Sequence, residues 1–132
     1  MFLGKLSGKE KEAFISLSVH ASKSNDVFAQ EEKMMIHEYC KEMDIPTWNE
    51  EDILSMDEIV AVFKSSELPI KKIVLLETLG LLYSDGTVDE TEKEFIKEYA
   101  EKIGLMEDIV EKQTVAIKEY LDALKKVTEA IA

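Results

Sequence analysis

Four acidic residues crowd the stretch S-D-G-T-V-D-E-T-E: Asp85, Asp89, Glu90 and Glu92. Carboxylates gathered on a glycine turn are the hard oxygen donors that Ca²⁺ or Mg²⁺ takes. Asp85, Asp89 and Glu92 are therefore the candidate metal ligands. The stretch is not an EF-hand loop. With Gly86 at the sixth position, Val88, Asp89 and Glu92 fall acceptably at the eighth, ninth and twelfth, but the first and third are Leu81 and Tyr83, which cannot ligate. The same spacing fits a structural role. Asp89 would be an N-cap, Glu92 would close a capping box, and both would sit at the positive end of a helix, with Asp85 and Gly86 as turn residues. Capping is the favoured reading and a weak Ca²⁺ or Mg²⁺ site the alternative.

Other reactive groups are sparse. Glu77 is the one charge in residues 73–83. A carboxylate on such a helix is either desolvated and functional, or placed on a narrow wet strip, or paired with a lysine. His20 and His37 are the two histidines, without the spacing of a soft-metal site. His37 is expected to face water and His20 to be half-buried. Cys40 falls on an apolar face and reads as a small core residue. No Ser, Cys or His triad can be assembled and no glycine-rich phosphate loop occurs, so the chain is expected to be non-enzymatic and to need no cofactor. Trp48 lies in a connection, either as a hydrophobic staple for the next helix or as an exposed contact residue.

The elements that must position these groups are helical. Ser7 with Glu10 forms a capping box ahead of a stripe of Ala13, Phe14, Leu17 and Ala21. A second helix spans about 30–43 and stops at Pro46. Thr47 with Glu50, and Ser55 with Glu58, predict a short helix near 50–54 and another near 57–65. Pro69 opens a fifth helix that is apolar almost all round, as a central buried helix is. Asp89 opens a sixth that closes on Gly104, and a seventh covers about 107–130. The expected fold is all-α, with about seven helices in one domain over residues 1–132.

Shifted against itself, the chain repeats. Residues 24–45 align without gaps on 84–105, with identities at Ser24/Ser84, Glu32/Glu92, Lys33/Lys93, Ile36/Ile96, Glu38/Glu98 and Tyr39/Tyr99. The inward face is kept in kind, as in Met35/Phe95, Cys40/Ala100, Met43/Ile103 and Ile45/Leu105. Each copy follows a helix and a polar turn, so two helical hairpins about a rough two-fold are predicted. The first copy has Asn25 for Asp85, Asp26 for Gly86 and Ala29 for Asp89, which confines any carboxylate site to the second.

Composition sets the remaining bounds. Sixteen basic residues, all lysine, face 28 acidic ones, for a net charge of −12. A polyanion is repelled by such a surface, so no nucleic-acid partner is expected, and arginine-finger chemistry is excluded. No stretch is apolar enough to enter a membrane, and one cysteine fits a reducing, cytoplasmic setting. The partner should be a basic or neutral protein.

The second copy, L-L-Y-S-D-G-T-V-D-E-T-E followed by F-I-K-E-Y-A-E-K-I-G-L, resembles the TerB-like family, the fold of tellurite-resistance protein TerB and of the N-terminal domain of DjlA-type co-chaperones. The matching positions are Asp85, Gly86, Val88, Glu92, Gly104 and Leu105. The resemblance implies an all-helical bundle and a stress-associated interaction or regulatory role, with no defined reaction. The alternative is a module that responds to a divalent cation at the acidic turn 85–92.

Overall fold

The computed structural model describes residues 1–26, 28–85 and 87–132, without the side chain of Asp85. Among these residues there are six α-helices and no strand: α1 Gly8–Lys23, α2 Gln30–Glu42, α3 Met56–Lys64, α4 Leu68–Leu82, α5 Glu90–Lys102 and α6 Glu107–Ala130. Two 3-10 turns, Leu3–Lys5 and Tyr83–Asp85, complete the set. No helix among the described residues is long and apolar enough to cross a membrane.

The expected helix at 50–54 does not form. Asn49 takes the role assigned to Thr47: its side-chain oxygen accepts from the Glu51 N–H at 2.9 Å, and its carbonyl accepts from the Asp52 N–H at 3.1 Å. Such an Asx turn offers the backbone an alternative to helix. The other capping boxes form as spaced. Ser7 caps Glu10, Ser55 caps Glu58 and Asp89 caps Glu92, each with the glutamate returning to the cap N–H.

The repeat runs further than residues 24–45. The helices α1 and α4 begin at Gly8 and Leu68, and α2 and α5 begin at Gln30 and Glu90, the same offset of 60. Hydrogen bonds recur at that offset. The Ser18 hydroxyl donates to the Phe14 carbonyl as Thr78 does to Val74, at 2.9 and 2.8 Å. Ser24 donates to Ala21 as Ser84 does to Leu81. Lys11 Nζ reaches the Met43 carbonyl that ends α2, and Lys71 Nζ reaches Ile103 at the end of α5, where a cation meets orphan carbonyls and the negative helix end. The residue just past each C-cap is left-handed, Asp44 at φ 60° and Gly104 at φ 85°. Only the second copy uses the glycine that this conformation favours.

Packing follows the repeat in part. The helices α1 and α4 lie against each other, α2 packs on both, and α5 reaches back to α1. The short α3 lies along α1, and α6 lies along α4. The pairings of α3 on α1 with α6 on α4, and of α5 on α1 with α2 on α4, are reciprocal, whereas α2 also packs closely on α1 and α5 on α6. Ile36, Tyr39 and Met43 share one core with Ile96, Tyr99 and Ile103, and Phe95 is packed against its edge. The middle of α4 is buried on every side, as its composition predicts. So is the middle of α1, from Ala13 to Val19, although Ser16 and Ser18 interrupt its apolar run.

The two tyrosines mark where the halves differ. Tyr39 donates its hydroxyl to the Glu77 carbonyl at 2.9 Å, whereas the buried Tyr99 hydroxyl meets no partner among the described residues. Burial pushes both phenols well above the ordinary tyrosine range. Tyr39→Phe should therefore cost about 0.5–1.5 kcal/mol in urea unfolding, while Tyr99→Phe should be neutral or stabilising.

Candidate functional site

In the acidic turn the two described carboxylate candidates serve the helix. Asp89 Oδ1 accepts from the Glu92 N–H at 2.9 Å, and Glu92 Oε1 accepts from the Asp89 N–H at 3.2 Å. Asp89 Oδ2 accepts from Asn25 Nδ2 at 3.0 Å, so the cap also ties the turn of one half to that of the other. The backbone bond from Glu92 first, and then the Asn25 amide, hold the Asp89 carboxyl below its usual range. Glu92 is buried at this junction. The side chain of Asp85 and all of Gly86 lie outside the described residues, and among those described no cluster of three or more His, Cys, Asp or Glu is placed to hold a metal. The first half keeps half of the box: Glu32 accepts from the Ala29 N–H at 3.2 Å, and Ala29 supplies no side-chain cap.

Glu77 is desolvated, and its partner is not a lysine. The 3-10 turn Leu3–Lys5 buries Leu3 and brings the Met1 ammonium to 2.8 Å from Glu77 Oε2 and 3.0 Å from Glu42 Oε1. The Leu3 N–H donates to the other Glu42 oxygen at 2.9 Å. In the first half the position equivalent to Glu77 is the buried Leu17. The carboxylate is thus a substitution into a core site, tolerable because a cation reaches it. Burial alone would lower the ammonium pKa, but the hydrogen bonds and charges of Glu77 and Glu42 prevail and raise it above 8.0.

The histidines and the cysteine take structural places. His37 is exposed. His20 is half-buried, with Nε2 2.9 Å from the Leu54 carbonyl, and Ser16 Oγ accepts from the Leu54 N–H at 3.0 Å. Together they fasten the 44–55 connection to α1. Cys40 is buried, and burial raises its thiol pKa, the opposite of an activated nucleophile.

The surface that stands out was not legible as a site. With no helix at 50–54 there is nothing for Trp48 to staple. Its ring instead packs against Phe28, centroids 6.3 Å apart, and stands between two grooves. One, of about 450 Å³, lies between α1 and the 44–53 connection, with Ile15, Met43, Ile45 and Ile53 in its walls. The other, of about 740 Å³, runs along α2 beside Met34 and Met35, with Glu31 and Glu38 at its edge. Met34 is 61% exposed. Lys33 and Lys23 lie over the Phe28 ring at 5.1 and 5.7 Å, so the nearest cations are already engaged. The offset of 60 carries the second groove onto another between α1 and α5, where Glu90, Glu94, Phe95 and Glu98 replace Gln30, Met34, Met35 and Glu38. One face of the repeat became acidic and the other became methionine-rich.

Two outcomes check these assignments. Asp89→Ala should lower the melting temperature more than Asp89→Asn, which still caps Glu92 but loses the oxygen that accepts from the Asn25 amide, and both losses should be equal in chelator and in millimolar Ca²⁺ or Mg²⁺. An ion-dependent rise in wild type that Asp85→Asn removes would assign the turn to a cation instead. A group whose pKa is raised on folding stabilises fully below its unfolded pKa and stops doing so as pH rises through the folded one. Stability should thus fall above about pH 8, by at most about 1 kcal/mol since Met1 is partly exposed. A chain with one extra residue before Met1 should lack that pH dependence. No family model, curated protein or solved structure matches the chain.

Proposed function

We propose that the protein is a non-enzymatic interaction module that holds an amphipathic segment of a partner protein, lysine- or arginine-flanked, in the grooves on either side of Trp48. The observation that carries this reading is the exposed Met34 in one groove with Met35 and Trp48, whose ring packs on Phe28, edged by Glu31 and Glu38 on a chain of net charge −12. Methionine is unbranched and polarisable, so it adapts to apolar side chains of varied shape, as promiscuous helix-binding grooves require. The carboxylates and the overall negative field favour a basic partner and speed its approach. The stress-associated role and the cytoplasmic setting rest on the TerB-like resemblance and the single cysteine.

Trp48 is the one tryptophan, so its emission reports directly on this surface. Titration of the full chain with a synthetic leucine–lysine amphipathic helix should shift Trp48 emission saturably. Met34→Glu should weaken that binding at least about tenfold, the equivalent of 1.4 kcal/mol, without changing helicity by circular dichroism. An emission that does not respond, or a Met34→Glu variant that binds as well as wild type, rejects the reading.

A further inference from the structure

The last helix outruns the body it packs on. Ile117 is buried against α4, where its side chain lies 3.5 Å from the position a Cβ on Gly80 would take, and Leu121 is half-buried. Beyond them the same face continues uncovered: Tyr120, Leu124, Val127 and Ile131 are 43, 48, 61 and 82% exposed. Val110, Ile117, Leu124 and Ile131 recur every seven residues, with Tyr120 and Val127 between them, which is the spacing of a helix that pairs with another helix. Every residue after Leu121 is exposed. A helical segment of this length without tertiary contacts is marginal in water, and the Asp122–Lys126 pair at 3.2 Å adds only a few tenths of a kcal/mol. The face therefore needs a cover.

Charge identifies the cover. Residues 117–131 carry Lys118, Lys125 and Lys126 against Glu119, Asp122 and Glu129, so this segment is neutral and the whole net charge of −12 resides in residues 1–116. A face that meets its own copy across a two-fold must not repel itself, and interleaved lysines and carboxylates satisfy that condition. A basic partner would be drawn to the acidic body instead. We infer that the end of α6 pairs with the same segment of a second copy of this chain, as two helices lying side by side along Leu124 and Val127. The contact is small, at the low end of specific interfaces, so the dimer is a weak and reversible one.

Sedimentation equilibrium of the full chain from about 10 μM to about 1 mM tests this. The chain should pass from monomer to dimer, and Leu124→Glu and Val127→Glu should each reduce the association constant at least about tenfold. Both positions are exposed, so circular dichroism should show the fold retained. Raising NaCl from about 0.05 to 0.5 M should strengthen pairing, because salt screens repulsion between the acidic bodies and leaves the apolar contact intact. A chain monomeric throughout that range overturns the inference. So does a dimer indifferent to both substitutions, or one that salt dissolves.

Discussion

Two helices that touch each other, α1 and α4, are both buried on every side along their middle turns, and the rest of the molecule is arranged to make that possible. A helix apolar all round cannot be covered by one neighbour. Each therefore receives a flanking helix from its own half, α3 on α1 and α6 on α4, and an arm from the other half, α5 on α1 and α2 on α4. The core is accordingly shared, with Ile36, Tyr39, Ile96 and Tyr99 in one cluster, and neither half can close it alone. Even the polar exceptions serve this arrangement. The hydroxyls of Ser18 and Thr78 fold back onto carbonyls one turn earlier, which satisfies them without water.

How much of this could be read depended on how plainly the sequence states burial. The helix α4 is a nearly unbroken run of leucine, isoleucine and valine, and its central place followed at once. The equally central α1 shows only one apolar stripe in sequence, because Ser16 and Ser18 look like solvent positions until Ser16 is seen accepting from the Leu54 amide and Ser18 donating to the Phe14 carbonyl. The repeat was legible where cap residues and the inward face coincide, in 24–45 and 84–105. It was hidden upstream, where Leu17 answers to Glu77 and His20 to Gly80, positions alike in place and unlike in chemistry. The missing helix at 50–54 is a local competition that Asn49 wins over Thr47 within the same few residues.

The site followed the same rule. The capping role of Asp89 and Glu92 is a short-range pattern, four residues long, and spacing was enough to suggest it. Glu77 could be singled out as a lone charge, but its partner is seventy-six residues away at the chain's first atom, and no local pattern points there. The surface around Trp48 needed three separate segments brought together: Phe28 from the first turn, Met34 and Met35 from α2, and Trp48 from a connection that has no counterpart in the second half. Met34 falls off the inward face, opposite Glu94 in the repeat, but only the packing shows that it lines a groove with Met35 and Trp48.

Because the two halves lend each other their arms, the order of synthesis matters. On a ribosome adding residues from the amino end, α1 and α2 emerge with one side of α1 bare until α5 arrives, 60 residues later. At ordinary rates of translation that interval is on the order of 3–12 s. The Met1 ammonium likewise has Glu42 within reach early but must wait for Glu77. The first three helices thus spend those seconds as an open half-core. The excess of acid over lysine in these early segments keeps neighbouring nascent chains apart while it remains open. Each half of the repeat thus completes its core only with side chains of the other.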